Sequence, residues 1–164
     1  MFKLCLCVVV LLCSTLIGNW FASRLKNRRN SLLILIEVIT RMKNHFAFSG
    51  FDIFRVVSES FKGFQIFEAF ADYNNSEDFH LWWKTGILSL SSESGLNQED
   101  KRLLIRFSDS LGVTDVEGQI SNCDFYIDVF TQRLKAADAT EYKNARLYKT
   151  LGFSLGCILI LVLM

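Results

Sequence analysis

The chain has 164 residues, with 18 Lys+Arg against 17 Asp+Glu, 15 Phe, five Cys and no Pro. That length holds one single-core domain, and the charge balance excludes a nucleic-acid-type basic surface. The absence of proline and the sparse turn signals favour helices over a β fold. All seventeen acids, and every Lys or Arg except Lys3, lie between Arg24 and Lys149, so the middle is neutral and both ends are apolar.

Leu4 to Ala22 (LCLCVVVLLCSTLIGNWFA) carries no charge. At 1.5 Å per residue it is long enough for the ~30 Å hydrocarbon core, with Trp20 and Phe21 placed for the interface. A cleaved signal peptide is the alternative. It has Lys3 as a minimal n-region but no small-x-small cleavage site, and no small residue directly precedes Cys13 for lipidation. The expectation is an uncleaved N-terminal anchor over residues 1–23. Arg24, Lys26, Arg28 and Arg29 follow it, which by the positive-inside rule places the middle domain (24–149) in the cytoplasm.

Within the domain, Arg24 to about His45 reads as one helix, with Leu32, Leu33, Ile36, Ile39 and Thr40 near one face. Glu37 lies inside this run. Its simplest role is a carboxylate at the edge of the face reaching solvent; the other is a buried polar contact or a charge offered to a partner, and burial requires a basic companion. A phenylalanine series follows (Phe48, Phe51, Phe54, then Phe61, Phe64, Phe67, Phe70), with Gly63 as the joint between two short helices. A spacing of three slides backwards by about 60° per step on an α-helix, so the series wraps a broad face suited to a core.

Ser76 with Glu77 and Asp78 opens a helix through Trp82 and Trp83. After a polar loop (SLSSESGL, 89–96), Asn97 with Glu99 and Asp100 opens another, carrying Leu103, Leu104, Phe107 and Leu111 and closed by Gly112. Thr114–Glu117 reads as a capping box for a last helix striped by Ile120, Cys123, Ile127, Phe130, Leu134 and Ala137. No breaker separates it from the second apolar run, Leu151–Met164, expected to be a C-terminal transmembrane helix over 150–164 with Lys149 at the surface. Lys143, Arg146 and Lys149 precede this span on the domain side. The helices expected between the spans are thus 24–45, 51–62, 64–73, 76–90, 97–111 and 115–149: an all-α, six-helix bundle between two transmembrane helices.

Chemistry is scarce. His45 and His80 are 35 positions apart in sequence, no nucleotide-binding or metalloprotease motif is present, and Cys123 is the one cysteine of the domain, so neither metal nor cofactor is expected. Two runs hold acids without bases: Glu68, Asp72, Glu77 and Asp78 between Lys62 and Lys84, and Asp109, Asp115, Glu117, Asp124 and Asp128 between Arg106 and Arg133. Such runs are solvated faces or an acidic docking surface. Gly152 and Gly156 form a GxxxG in the second span, a spacing that lets another helix approach.

The order of these features strongly resembles the stage III sporulation protein AB family of endospore-forming Firmicutes. The residues that carry it are Leu35-Ile36-Glu37-Val38, Trp82 or Trp83, Phe107 to Asp115 (FSDSLGVTD), Gln119, and Tyr148 to Gly156 (YKTLGFSLG) with its Ile/Leu tail. The family's Tyr and Thr-Pro-Leu turn after the glutamate helix is absent here; Arg41-Met42-Lys43 and Ala47 to Phe51 stand in its place. The resemblance implies a non-enzymatic component of the sporulation channel, in the mother-cell membrane around the forespore. It also implies a soluble part similar to the inner-membrane platform domain of type II secretion and type IV pilus machines, and partners that include a cytoplasmic ATPase and other channel proteins. Self-association is compatible with it. The competing class is a membrane-anchored enzyme or signalling protein with a site at an acidic face. A true secretion platform needs two such domains and a longer chain.

Overall fold

The computed structural model describes residues 2–48, 52–70 and 78–163; side chains are described from residue 9 to 161 within these limits, except that of residue 69. The described residues are all helical apart from loops, with no strand. In chain order they form α1 (Phe2–Phe48), α2 (Ile53–Phe61), a 3₁₀ segment (Gln65–Phe70), α3 (Phe79–Ser89), a 3₁₀ turn (Ser92–Ser94), α4 (Gln98–Ser108) and α5 (Val116–Leu163).

Two helices dominate. α1 has 47 residues and α5 has 48, so each runs about 70 Å. They pack antiparallel, and neither breaks where the apolar ends meet the neutral middle: 23/24 lies inside α1 and 149/150 inside α5. Where six helices are expected between two spans, the described residues form five α-helices and two 3₁₀ segments, because each apolar run is continuous with the bundle helix beside it. Among the described residues no helix is long and apolar enough to cross a membrane. In sequence, residues 1–8 begin the first apolar run and 162–164 end the second, and neither set is among the described side chains.

The short elements wrap the polar half of the hairpin. α1 buries Leu32, Leu35, Val38, Ile39 and Met42, while Leu33 and Thr40 are exposed. The buried line is therefore turned from the expected one and runs through Leu35 and Val38. α5 buries Gln119, Cys123, Tyr126, Phe130 and Ala137, with Ile120, Ile127 and Leu134 at its edge. Between them Phe61, Phe67, Phe70, Trp83 and Phe107 form an aromatic core; Phe61 stacks on Phe70 with centroids 4.6 Å apart. The Trp83 indole N–H donates to the Leu104 carbonyl at 2.7 Å, so this buried ring leaves no polar atom unsatisfied.

Several expected boundaries move, each for a local reason. The helix expected over 64–73 is a 3₁₀ segment kinked at Phe67. Three residues per turn bring positions i and i+3 into line, so Phe67 and Phe70 enter the core together, and Gly63 (φ +93°) makes the preceding joint. Asp78 caps α3, accepting from the amides of His80 and Leu81 at 2.9 and 3.2 Å; Ser76 and Glu77 lie outside the described residues. α4 has the full capping box of Asn97 with Asp100. It ends at Ser108, and Gly112 (φ +78°) closes the turn beyond it rather than the helix itself. At α5 the cap falls one residue later than expected: Asp115 accepts from the Gly118 amide at 2.9 Å, and Thr114 Oγ1 instead receives the Gln119 side chain at 2.9 Å.

Candidate functional site

Three places on the hairpin carry features beyond ordinary packing. The first is its apolar end. A Cβ placed on Gly152 would lie 2.8 Å from the Ser14 carbonyl oxygen and 3.0 Å from the Gly18 Cα, and one on Gly18 would lie 2.6 Å from the Tyr148 carbonyl oxygen. Gly156 faces Ser14 and Leu11 at 3.3–3.4 Å. The helix that the GxxxG meets is thus α1 of the same chain. Glycines on both sides bring the two backbones together, and the Ser14 hydroxyl donates across to the Gly152 carbonyl. Gly18 had no motif of its own to mark it. Beside this contact Cys13, Ile17, Phe21, Tyr148, Leu155 and others line an open groove of about 610 Å³.

Around the close contact the surface is apolar on all sides. Val9, Leu12, Leu16, Ile17, Leu151, Phe153, Leu155, Ile158 and Leu159 are 48–65% exposed. One level marks where this surface stops. Phe21 stacks on Tyr148 at 5.7 Å across the hairpin, Trp20 packs edge-on against Phe21, and the Arg24 guanidinium lies 5.2 Å over the Trp20 ring.

The second place lies a few turns further into the bundle. Asp100 is fully buried and holds both long helices to α4: its carboxylate accepts from Arg28 Nε (2.8 Å) and Nη2 (3.2 Å) on α1 and from Arg133 Nη1 (3.0 Å) on α5. It also accepts the Asn97 amide at 3.2 Å, and Arg133 reaches Glu99 at 3.2 Å. Next to it, Gly95 (φ +68°) sits where a Cβ would be 2.5 Å from the Arg28 amide nitrogen, and Ser31 donates to the Ser94 carbonyl at 2.7 Å. Arg29 pairs with Asp138 and Glu141 of α5. Charges that sequence presents as flanks of a span are therefore also ties of the bundle.

The third place is the far tip, where the second acidic run lies. Its members do not converge. Asp115 caps α5, Asp124 pairs with Lys43 of α1 at 2.6 Å, and Glu117, Phe125 and Asp128 are exposed along α5. No group of three His, Cys, Asp or Glu suited to a metal occurs among the described residues.

The remaining sequence candidates are dispersed. Glu37 is exposed and pairs with Arg41 one turn on, at 2.6 Å. Asp78 is spent on its cap. Asp72 and Glu77 lie outside the described residues. His45 is half-buried on α1, and His80 is exposed on α3 against the Phe79 ring. Cys123 is wholly buried, deeper than its place in the stripe implies, and desolvation, with the Asp124 charge beside it, pushes its thiol from 9.0 up to about 12. Cys123 should therefore resist a maleimide at pH 8 in the folded chain and react at once in denaturant, with the other four cysteines replaced by Ala. Because the folded pKa is the higher one, the stability this buried thiol contributes is complete below about pH 9 and is lost as pH climbs towards about 12. Rapid native labelling at pH 8 contradicts the packing described.

These features define a helical-hairpin protein, continuous through both long helices, with an apolar end, an aromatic and basic collar, and a bundle of short helices on the other half. The family model of stage III sporulation protein AB matches residues 3–164, and the chain belongs to that family over essentially its whole length. No curated protein and no solved structure matches it.

Proposed function

We propose that this chain is a non-enzymatic membrane scaffold of the sporulation channel that joins mother cell and forespore. The observation that carries the reading is the apolar end of the hairpin. Contiguous exposed apolar surface of this extent marks a membrane or a protein contact, and the collar at Trp20, Phe21 and Tyr148 supports the membrane. Gly18 faces Gly152 and Leu11 faces Gly156, so the two apolar runs lie side by side beyond the collar. With the basic residues on the bundle side, the bundle faces the cytoplasm and the short ends face out.

In this reading the bundle does what the platform domains of type II secretion and type IV pilus machines do: it relates a cytoplasmic ATPase to the membrane part of the channel. Family membership supports the sporulation role. The absence of any nucleotide-binding motif in the sequence makes a separate ATPase the source of energy. Full-length chain solubilised from sporulating cells should bring down the channel ATPase and bind no nucleotide itself. A chain that binds nucleotide alone and retrieves no channel protein contradicts the scaffold reading.

A further inference from the structure

The open groove of about 610 Å³ beside the glycine contact is lined from Val9 to Phe21 on α1 and from Tyr148 to Leu159 on α5, almost wholly by apolar surface. The Phe21–Tyr148 stack is the last pair of lining residues on the bundle side, so it closes that end. On α1 the line of the groove continues past this stack. Val10, Cys13, Ile17, Phe21 and Arg24 follow one another at spacings of three and four, which at 3.6 residues per turn keeps all five within an arc of about 80°. Arg24 therefore stands in line with the groove, just beyond its closed end, with its guanidinium 5.2 Å over the Trp20 ring.

No carboxylate answers that charge. Arg24 is exposed and in no ion pair among the described residues. The acids of α5 nearest the collar in sequence, Asp138 and Glu141, are held by Arg29, and Asp100 is held by Arg28 and Arg133. Glu93 lines a separate depression with Gln65 and Glu68. Lys26 on α1 and Lys143, Arg146 and Lys149 on α5 are exposed within two turns of the collar, and they too are in no ion pair among the described residues. An apolar slot thus ends under a guanidinium, at a level where the unpaired charges are positive.

We infer that this groove is a site for one anionic phospholipid, with an acyl chain along the groove and the phosphate on Arg24. The inference rests on the membrane reading. Size selects a lipid tail over a helix of another protein. From Val10 to Phe21 the groove runs about 17 Å, so its volume spreads to a section of roughly 36 Å². A helix 10–12 Å across needs about 80–110 Å², whereas an extended hydrocarbon chain is slim enough. The height fits as well. Trp20, Phe21 and Tyr148 mark the headgroup level, and Arg24 lies about one turn beyond Trp20, within reach of a phosphate whose tail fills the groove. Arginine presents two parallel N–H groups to such oxygens. Charge selects the anionic class, because a zwitterionic head would bring its ammonium among the collar's cations with no carboxylate to receive it.

The test is native mass spectrometry of the full-length chain in detergent, given phosphatidylglycerol and phosphatidylcholine of equal chain length. Wild type should retain one phosphatidylglycerol, at least tenfold in preference to phosphatidylcholine. Arg24→Gln should bring the two lipids to near parity, and Ile17→Trp, which fills the groove, should release both. Lys84→Gln, which removes an exposed cation on α3 far along the chain from the collar, should keep the preference. A wild type that retains no lipid, or both lipids equally, overturns the site. So does a preference that survives Arg24→Gln or falls as much with Lys84→Gln, since diffuse charge then explains it. Retention unchanged in Ile17→Trp removes the groove from the account, and a second polypeptide retained in place of lipid and lost in Ile17→Trp assigns the groove to a helix. Carbonate extraction reads the anchor separately: a chain that stays in the membrane pellet yet shows no lipid preference fails here alone, whereas one released by carbonate fails the membrane reading itself.

Discussion

Replacing Gly152 and Gly156 together by Leu should abolish sporulation while the amount of protein in the membrane fraction stays normal. Added apolar bulk makes the segment no less fit for a bilayer, so insertion is retained. What changes is the contact with α1. A first Cβ at Gly152 meets backbone atoms of Ser14 and Gly18 at 2.8 and 3.0 Å, and backbone cannot move aside as a side chain can. The helices must separate, and the Ser14 hydrogen bond to the Gly152 carbonyl goes with them. Without a hydrophobic drive between helices in lipid, close packing and such hydrogen bonds are what hold them. The effect should be graded. Gly152→Ala alone should already impair function, whereas Gly156→Ala, whose Cβ meets Ser14 and Leu11 at 3.3–3.4 Å, should be tolerated. Gly18→Leu should reproduce the double variant from the other helix. His45→Ala and His80→Ala should cost only local packing. Complementation with membrane blotting measures all of these. If the double-Leu variant sporulates normally while one histidine change abolishes function at unchanged protein level, the reading as a scaffold gives way to one with an active site.

Asp100→Ala should be the most damaging single change to the bundle, costing about 3–5 kcal/mol. The loss is large because the carboxylate is inaccessible to water and serves three elements at once. Removal strands Arg28 and Arg133 without their shared anion, and it ends half of the capping box at Asn97. An exposed pair gives the contrast. Glu37 and Arg41 are about half exposed and one turn apart, so Glu37→Ala should cost about 0.5 kcal/mol or less. Thermal melting of the full-length chain in detergent, followed in the near-ultraviolet signal of the buried Trp83, should separate the two changes by on the order of 10 °C. Equal melting temperatures would mean that Asp100 does not tie α1, α4 and α5 together.

The parts of this structure that sequence makes legible are the local ones. Periodicity marks Cys123, Phe130 and Ala137 on one face of α5, Asn97 announces α4 through its cap, and Gly63 marks a joint by its freedom at positive φ. Glu37 reaches solvent, the simpler of its two sequence roles. What sequence hides depends on distant partners. Asp100 reads as an ordinary acid in the first turn of a helix, and only folding brings Arg28 and Arg133 to it from 72 and 33 positions away. Gly152 and Gly156 announce a close helix contact, but their partner, Gly18, stands alone in an apolar run. The phenylalanine series misleads in its last part for a different reason: a spacing of three is out of step with an α-helix and in step with a 3₁₀ segment, and Phe67 and Phe70 lie in the latter.

In the proposed function the apolar ends of α1 and α5 form a paired membrane anchor for a helical bundle. Alkaline carbonate extraction of membranes from cells making the full chain tests it most directly, since high pH strips proteins bound at the surface and leaves spanning ones in place. The chain should remain wholly in the membrane pellet. Its release into the supernatant, alongside a peripheral control, would contradict the account.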